Sequence, residues 1–118
     1  MSIFTQVVAV LVAIEFIYIF FLETIATKSA KTSKVFGMDK EELSRKSVNT
    51  LFKNQGVYNG LLSVLIFVAV FAFASKAAVI ALMLYIIGVA IYGSFTSNPK
   101  IILLQGGLAI VTLISCFF

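Results

Sequence analysis

Apolar residues run from Ile3 to Leu22 with few interruptions, and the pattern then turns polar from Lys28 to Asn54 before apolar character returns at Val57 and holds almost to the end. Two short polar breaks, Ser75-Lys76 and Ser97-Asn98-Pro99-Lys100, divide the later part. At about 1.5 Å per residue, a hydrocarbon core of about 30 Å needs about 20 residues of helix. The stretches 3–24, 57–75, 77–96 and 101–118 are each of that order. The pattern predicts an all-α polytopic membrane protein: one four-transmembrane-helix domain over 1–118, with a single long hydrophilic loop, 28–54. Inside that loop Asp39 and Glu42 have capping-box spacing, and Leu43, Ser47-Val48 and Leu51-Phe52 recur at helical intervals. A short interfacial helix is expected between spans one and two.

Each span carries one polar stripe. In the first, Glu15, Tyr18, Leu22 and Glu23 fall within a sector of about 140° at about 100° per residue. The second opens Asn54-Gln55-Gly56-Val57-Tyr58-Asn59-Gly60, so that Gln55, Asn59 and Ser63 share a face with Tyr58 beside them. Tyr85, Gly88, Tyr92 and Thr96 form the third stripe, and Gln105, Ala109, Thr112 and Cys116 the fourth. Four stripes turned inward predict a polar pocket in the interior.

Composition agrees with the membrane reading. Only 12% of the 118 residues are charged and the mean hydropathy is +1.10, whereas a soluble domain carries about 25% charge. Met1–Gln6 has no basic residue and the first run exceeds a typical signal-peptide core, so it is expected to remain as a span. One cysteine, Cys116, excludes a disulfide or redox pair within the chain, and the lack of histidine removes the usual transition-metal ligands. No cofactor or metal is expected.

The loop holds Lys28, Lys31, Lys34, Lys40, Arg45, Lys46 and Lys53 against Asp39, Glu41 and Glu42. Lys100 falls on the same side in a four-span chain, and Lys76 stands opposite. The positive-inside rule then places loops one and three in the cytoplasm and both termini outside, in a multi-pass cell-membrane protein. Basic residues beside a membrane find anionic head groups first, so the expected partner is the lipid bilayer, and no groove-reading motif points to nucleic acid. Lys76 and Lys100 read as turn residues that snorkel to the head groups.

Glu15 is the sharpest candidate for chemistry. A carboxylate in the middle of a span costs several kcal/mol by contested scales, so it calls for a proton, a partner or a polar cavity. Tyr18, one turn on, is placed to donate a hydrogen bond to it. By the proposed topology Glu23, Asn54, Gln55, Tyr58, Asn59, Tyr92 and Gln105 lie toward the cytoplasmic side, Tyr85 sits deep in its span, and Glu15 lies about 12 Å further in than Glu23. These residues are the expected lining of a pocket with Glu15 toward its floor. Simpler readings stand beside this one. Gln105, Ser63 and Thr112 taken singly suit interhelical hydrogen bonds worth about 0.6 kcal/mol each, and Gly56-x-x-x-Gly60 is an ordinary close-packing spacing. Glu23 suits an interfacial residue paired with Lys28 or a head group equally well.

Taken together, Glu15-Phe-Ile-Tyr18 with Glu23, Lys34-Val-Phe36-Gly37, Asn54-Gln55-Gly56-Val-Tyr58-Asn59-Gly60, Tyr92-Gly93 and Gln105-Gly106 resemble the small four-helix membrane proteins of domain-of-unknown-function family 1304. The resemblance covers nearly the whole chain, and the NQGxYNG element is its most specific part. It implies a fold and a site without naming a reaction. Members of that family often carry a histidine after the first glutamate, where this chain has Phe16, so an imidazole is not on hand beside Glu15. In length, span number and first-span glutamate the chain is also similar, more loosely, to small multidrug-resistance transporters; their first loop is short and their signature includes tryptophan, which is absent here.

Three functions fit these features. One is a small-molecule binder or proton-coupled transporter in which Glu15 exchanges a proton for a ligand, with transport calling for a homodimer. Another is a membrane-embedded acid-base enzyme, isomerase-like, acting on a lipophilic substrate, with Glu15 as acid or base and Tyr18, Tyr58 or Tyr92 assisting. The third is an interaction subunit whose stripes only join helices and whose basic loop docks a partner.

Overall fold

The computed structural model describes residues 1–96 and 99–118, leaving aside the side chains of 101, 102 and 104; Ser97 and Asn98 of the expected last turn lie outside the described residues. The described residues are all helical or irregular. Helix α1 (Ile3–Phe20) runs into a π-helical turn, Phe21–Ile25, and is followed by α2 (Ala30–Phe36), α3 (Lys40–Ser44) and α4 (Lys46–Phe67). A second π-turn, Val68–Ala72, ends α4, and α5 (Lys76–Thr96) and α6 (Ile101–Ser115) complete the order. Among the described residues, three stretches are long and apolar enough to cross a membrane: Ile3–Ile25, Lys46–Ala72 and Lys76–Thr96. Helix α6 has 15 residues, about 22 Å of rise.

The second of these helices starts well before the apolar run that was expected to define it. Lys46–Asn54 is polar but contains neither Gly nor Pro, so nothing stops the helix from continuing back into the basic segment. Ser47–Phe52, expected in a separate short helix, are therefore part of α4. The capping box expected at Asp39 is not formed: Asp39 occupies the cap position without a side-chain bond, and Glu42 is instead held by Arg45 at 3.0 Å.

The chain forms two compact units, Met1–Glu15 with Ser63–Phe118, and Phe16–Leu62. In the first, α5 packs on α6, and α5 buries Val79, Met83, Ile86 and Ala90 at alternating spacings of four and three. Thr5, Val8, Ala9, Val12 and Ala13 are the buried positions of the first part of α1, and Gln105, Gly106, Ala109, Thr112 and Ser115 are buried on α6, with Cys116 just beyond it. Small residues dominate this core, as expected where close backbone approach rather than water exclusion drives association. A hydroxyl pair, Thr5 and Ser115, is buried within it at 2.9 Å, and Ser115 Oγ donates to Thr112 O. The second π-turn closes with Phe73 N–H on Val68 O, and Ala74 follows with φ 47°, a strained value for a residue with a Cβ. Ser75 then caps α5 by accepting from Ala78 N–H.

In the second unit, α2 is capped by Ser29, whose Oγ accepts from Thr32 N–H, and ends at Gly37 with φ 64°, where the Gly37 N–H returns to Ser33 O. Phe36 sets its ring edge-on to Phe52 of α4, centroids 5.3 Å apart, and Leu43 of α3 is fully buried. The Lys34-Val-Phe36-Gly37 element is thus a helix end: an aromatic anchor followed by the glycine that ends the helix.

Candidate functional site

Within Phe16–Leu62, the polar side chains converge on the π-turn at the end of α1. A π-turn widens the helix by one residue, and its carbonyls point away from the usual partners. Here Ala26 N–H closes the turn on Phe21 O, and threonines and a lysine take up the remaining carbonyls. Thr27 Oγ1 donates to Glu23 O at 2.6 Å and Lys53 Nζ to Thr24 O at 3.0 Å. Thr32 Oγ1 lies 2.7 Å from Ala26 O and 3.0 Å from Leu22 O, so its one proton serves either. Thr24 Oγ1 returns the contact from Lys53 by donating to Lys53 O at 2.9 Å.

Glu23 sits inside this turn and is fully buried. Each of its carboxylate oxygens accepts from one amide of α4: Asn59 Nδ2 to Oε1 at 2.6 Å and Gln55 Nε2 to Oε2 at 2.9 Å. Gln55 and Asn59 are four apart and so face the same way, and Gly56 and Gly60 lie beside them on that face. A Cβ on Gly56 would overlap Thr24 Oγ1 and come within 3.0 Å of Thr24 N; one on Gly60 would stand 3.0 Å from the Phe20 ring. The NQGxYNG element is therefore a docking face in which glycines permit the approach and amides receive the carboxylate. Asn54 and Tyr58, in the same element, point away and are exposed. Glu23 does not pair with Lys28, as one sequence reading had it.

Glu15 belongs to the other unit. It is half-buried, and its Oε1 is enclosed without any hydrogen-bond partner, so the bond that Tyr18 is placed to donate is not made there. Among the described residues it is the buried side-chain oxygen left unsatisfied. Gln105 is buried in the same unit, as are Ala109, Thr112 and Cys116 of its stripe.

The tyrosines depart from the expected arrangement. Tyr18, Tyr58, Tyr85 and Tyr92 are 42%, 74%, 60% and 71% exposed, so none is part of an enclosed lining. On α5, Tyr85, Gly88 and Tyr92 do share a stripe, but its centre lies about 155° round the helix from that of the buried Val79, Met83, Ile86 and Ala90. Periodicity shows that residues share a face and leaves open which face turns in. Thr24, Thr27, Thr32 and Lys53 were not among the sequence candidates. Their only signal was position: hydroxyls and an ammonium within a few residues of a helix end that has carbonyls to satisfy.

The family model described as a protein of unknown function, DUF1304, matches residues 10–117. The chain is 58% identical over 119 aligned residues to the uncharacterized protein YpaA of Lactococcus lactis subsp. lactis (strain IL1403), with 100% of each chain covered. No solved structure matches it.

Proposed function

This chain belongs to the DUF1304 family of proteins of unknown function, and from that premise we propose that it is an integral membrane protein whose Glu15 binds a proton or a small cationic or hydrogen-bond-donating molecule. One observation carries the reading: Glu15 Oε1 is enclosed and accepts no hydrogen bond. A carboxylate oxygen withdrawn from solvent without a donor costs about 1–3 kcal/mol or more, and a packing role gives nothing in return. A proton or ligand at that oxygen removes the cost. Exchange of one for the other is the elementary step of proton-coupled binding, and transport would follow if two copies pair to give the site alternating access.

In this reading α6, with Cys116–Phe118 beyond it, is a fourth span, and the basic segment before Asn54 faces the cytoplasm with both termini outside. The exposed apolar side chains, Ile14, Ile17, Leu61, Leu65 and Leu84 among them, then face lipid. The Glu23 cluster takes no part in exchange. Both its oxygens are already occupied, and its work is to join helix ends.

The test is the melting temperature of the detergent-purified protein with small cations, amines and apolar metabolites, run beside Glu15→Gln. A compound that raises the melting point of the parent and leaves the variant unmoved supports a site at Glu15 and gives its chemical class. If no compound moves the parent and the variant melts at the same or a higher temperature, the site reading is overturned in favour of a structural or partner-docking protein.

A further inference from the structure

A cleft of about 290 Å³ opens within Phe16–Leu62, at the end of the membrane-length helix Ile3–Ile25, lined by Ile25, Ala26, Thr27, Lys28, Ser29, Asn49 and Lys53. Two of its lining residues are cationic and none is acidic. Among the described residues no acid forms an ion pair with Lys53, and the oxygens of Glu23 accept from Gln55 and Asn59 instead. Lys53 is also more than a flexible surface charge. Its ammonium donates to Thr24 O while Thr24 Oγ1 donates to Lys53 O, so the head is pinned at one edge of the cleft with two N–H donors still to place. Asn49 spends one amide hydrogen on Leu43 O at 3.2 Å and keeps the other.

We propose that this cleft is a binding site for a phosphate oxyanion, presented by an anionic lipid head group or by a free phosphate ester, with Lys28 and Lys53 as its charged ligands and Asn49 as a neutral donor. The chemistry follows from the donor set. Two ammonium groups suit a tetrahedral anion that accepts from several directions, and the second amide hydrogen of Asn49 suits a further oxygen, while the hydroxyls of Thr27 and Ser29 are spent on Glu23 O and Thr32 Oγ1. The apolar rim of Ile25 and Ala26 matches a ligand that continues into acyl chain. A diffuse basic surface would attract the same lipids without selecting a position, and the experiment separates the two. The site stands apart from Glu15 and does not depend on it.

The purified protein in neutral detergent is titrated with dihexanoyl phosphatidylglycerol, dihexanoyl phosphatidylcholine, inorganic phosphate, and sodium chloride at matched ionic strength, reading melting temperature and affinity. Saturable stabilisation by phosphatidylglycerol or phosphate, with none from chloride, is expected. Lys28→Gln should weaken it about tenfold or more, whereas Lys31→Gln, an exposed neighbour outside the cleft, should cost no more than the roughly fivefold that any surface lysine contributes. Lys53→Gln disturbs the Thr24 contact and can lower stability by itself, so Lys53→Arg is the second variant; it keeps the charge and should keep binding. Saturation by phosphatidylglycerol alone identifies a lipid head group as the source, and equal saturation by phosphate identifies a free ester. Equal losses in Lys28→Gln and Lys31→Gln, or no saturable effect of either ligand, overturn the proposal.

Discussion

Asn59 Nδ2 stands 2.6 Å from Glu23 Oε1, joining the π-turn at the end of α1 to α4 across 36 residues of chain. With Gln55 on the other oxygen, the carboxylate is fully coordinated by neutral donors although no part of it reaches solvent. A hydrogen bond to a charged group contributes about 1.5–3 kcal/mol, and removing the donor also strands a buried acceptor. Asn59→Leu should therefore lower stability by about 2–3 kcal/mol, measured by denaturant unfolding in mixed micelles. Glu23→Gln should cost less, because Gln55 can turn its amide to accept where it now donates. Equal losses in the two variants would show that the pair is not what holds this contact.

At Gly56 the packing against the π-turn leaves no room for a side chain. A methyl group there meets Thr24 Oγ1, which can rotate aside, and Thr24 N at 3.0 Å, which cannot. Gly56→Ala is expected to destabilise by about 1–3 kcal/mol, the usual cost of overpacking. Adding Thr24→Ala should recover only part of it, since the backbone contact stays. Full recovery in the double variant, read from its melting curve, would place the whole clash in the hydroxyl.

Among the described residues, two backbone positions have left-handed φ, with opposite outcomes. Ala74, at φ 47°, carries a Cβ where glycine is favoured, so Ala74→Gly should raise stability by up to about 1 kcal/mol despite the added freedom of the unfolded chain. Gly37, at φ 64°, has nothing within 4 Å of where a Cβ would stand, so the cost of Gly37→Ala is backbone strain alone, about 1 kcal/mol. Melting temperatures of the two variants should move in opposite directions.

At Glu15 the expected trade-off runs between stability and response. Glu15→Leu removes an unpartnered buried oxygen and should raise the melting point of the ligand-free protein by an amount of the order of 1 kcal/mol in stability. The same variant should lose any ligand-induced shift. A variant less stable than the parent without ligand would mean that the carboxylate already has a stabilising partner.

The segments between these sites show where the pattern of the chain was enough. Hydropathy and length predict a helical fold with four spans, because hydrocarbon-compatible backbone must satisfy its own hydrogen bonds; among the described residues three helices are of membrane-crossing length. Helix α2, Ala30–Phe36, falls in the segment that the pattern predicts as loop, and its end at Gly37 is recognised only from the positive φ there. Hydropathy marked where α4 becomes apolar and missed where it begins, because Lys46–Asn54 is polar yet suited to helix.

Which face of each helix turns inward was decided by the tertiary structure alone. Both sides of α5 are apolar, so the tyrosine stripe gave no sign of facing away from Val79 and Met83. In water a polar stripe marks the outside by its hydration, whereas a chain of this hydropathy has no such contrast and packing of small side chains chooses the seam. The two glutamates make the same point. Sequence set Glu15 apart as a costly charge and left Glu23 open between pocket and interface; the approach of Gln55 and Asn59 gives Glu23 its donors, while Glu15 Oε1 is enclosed with none.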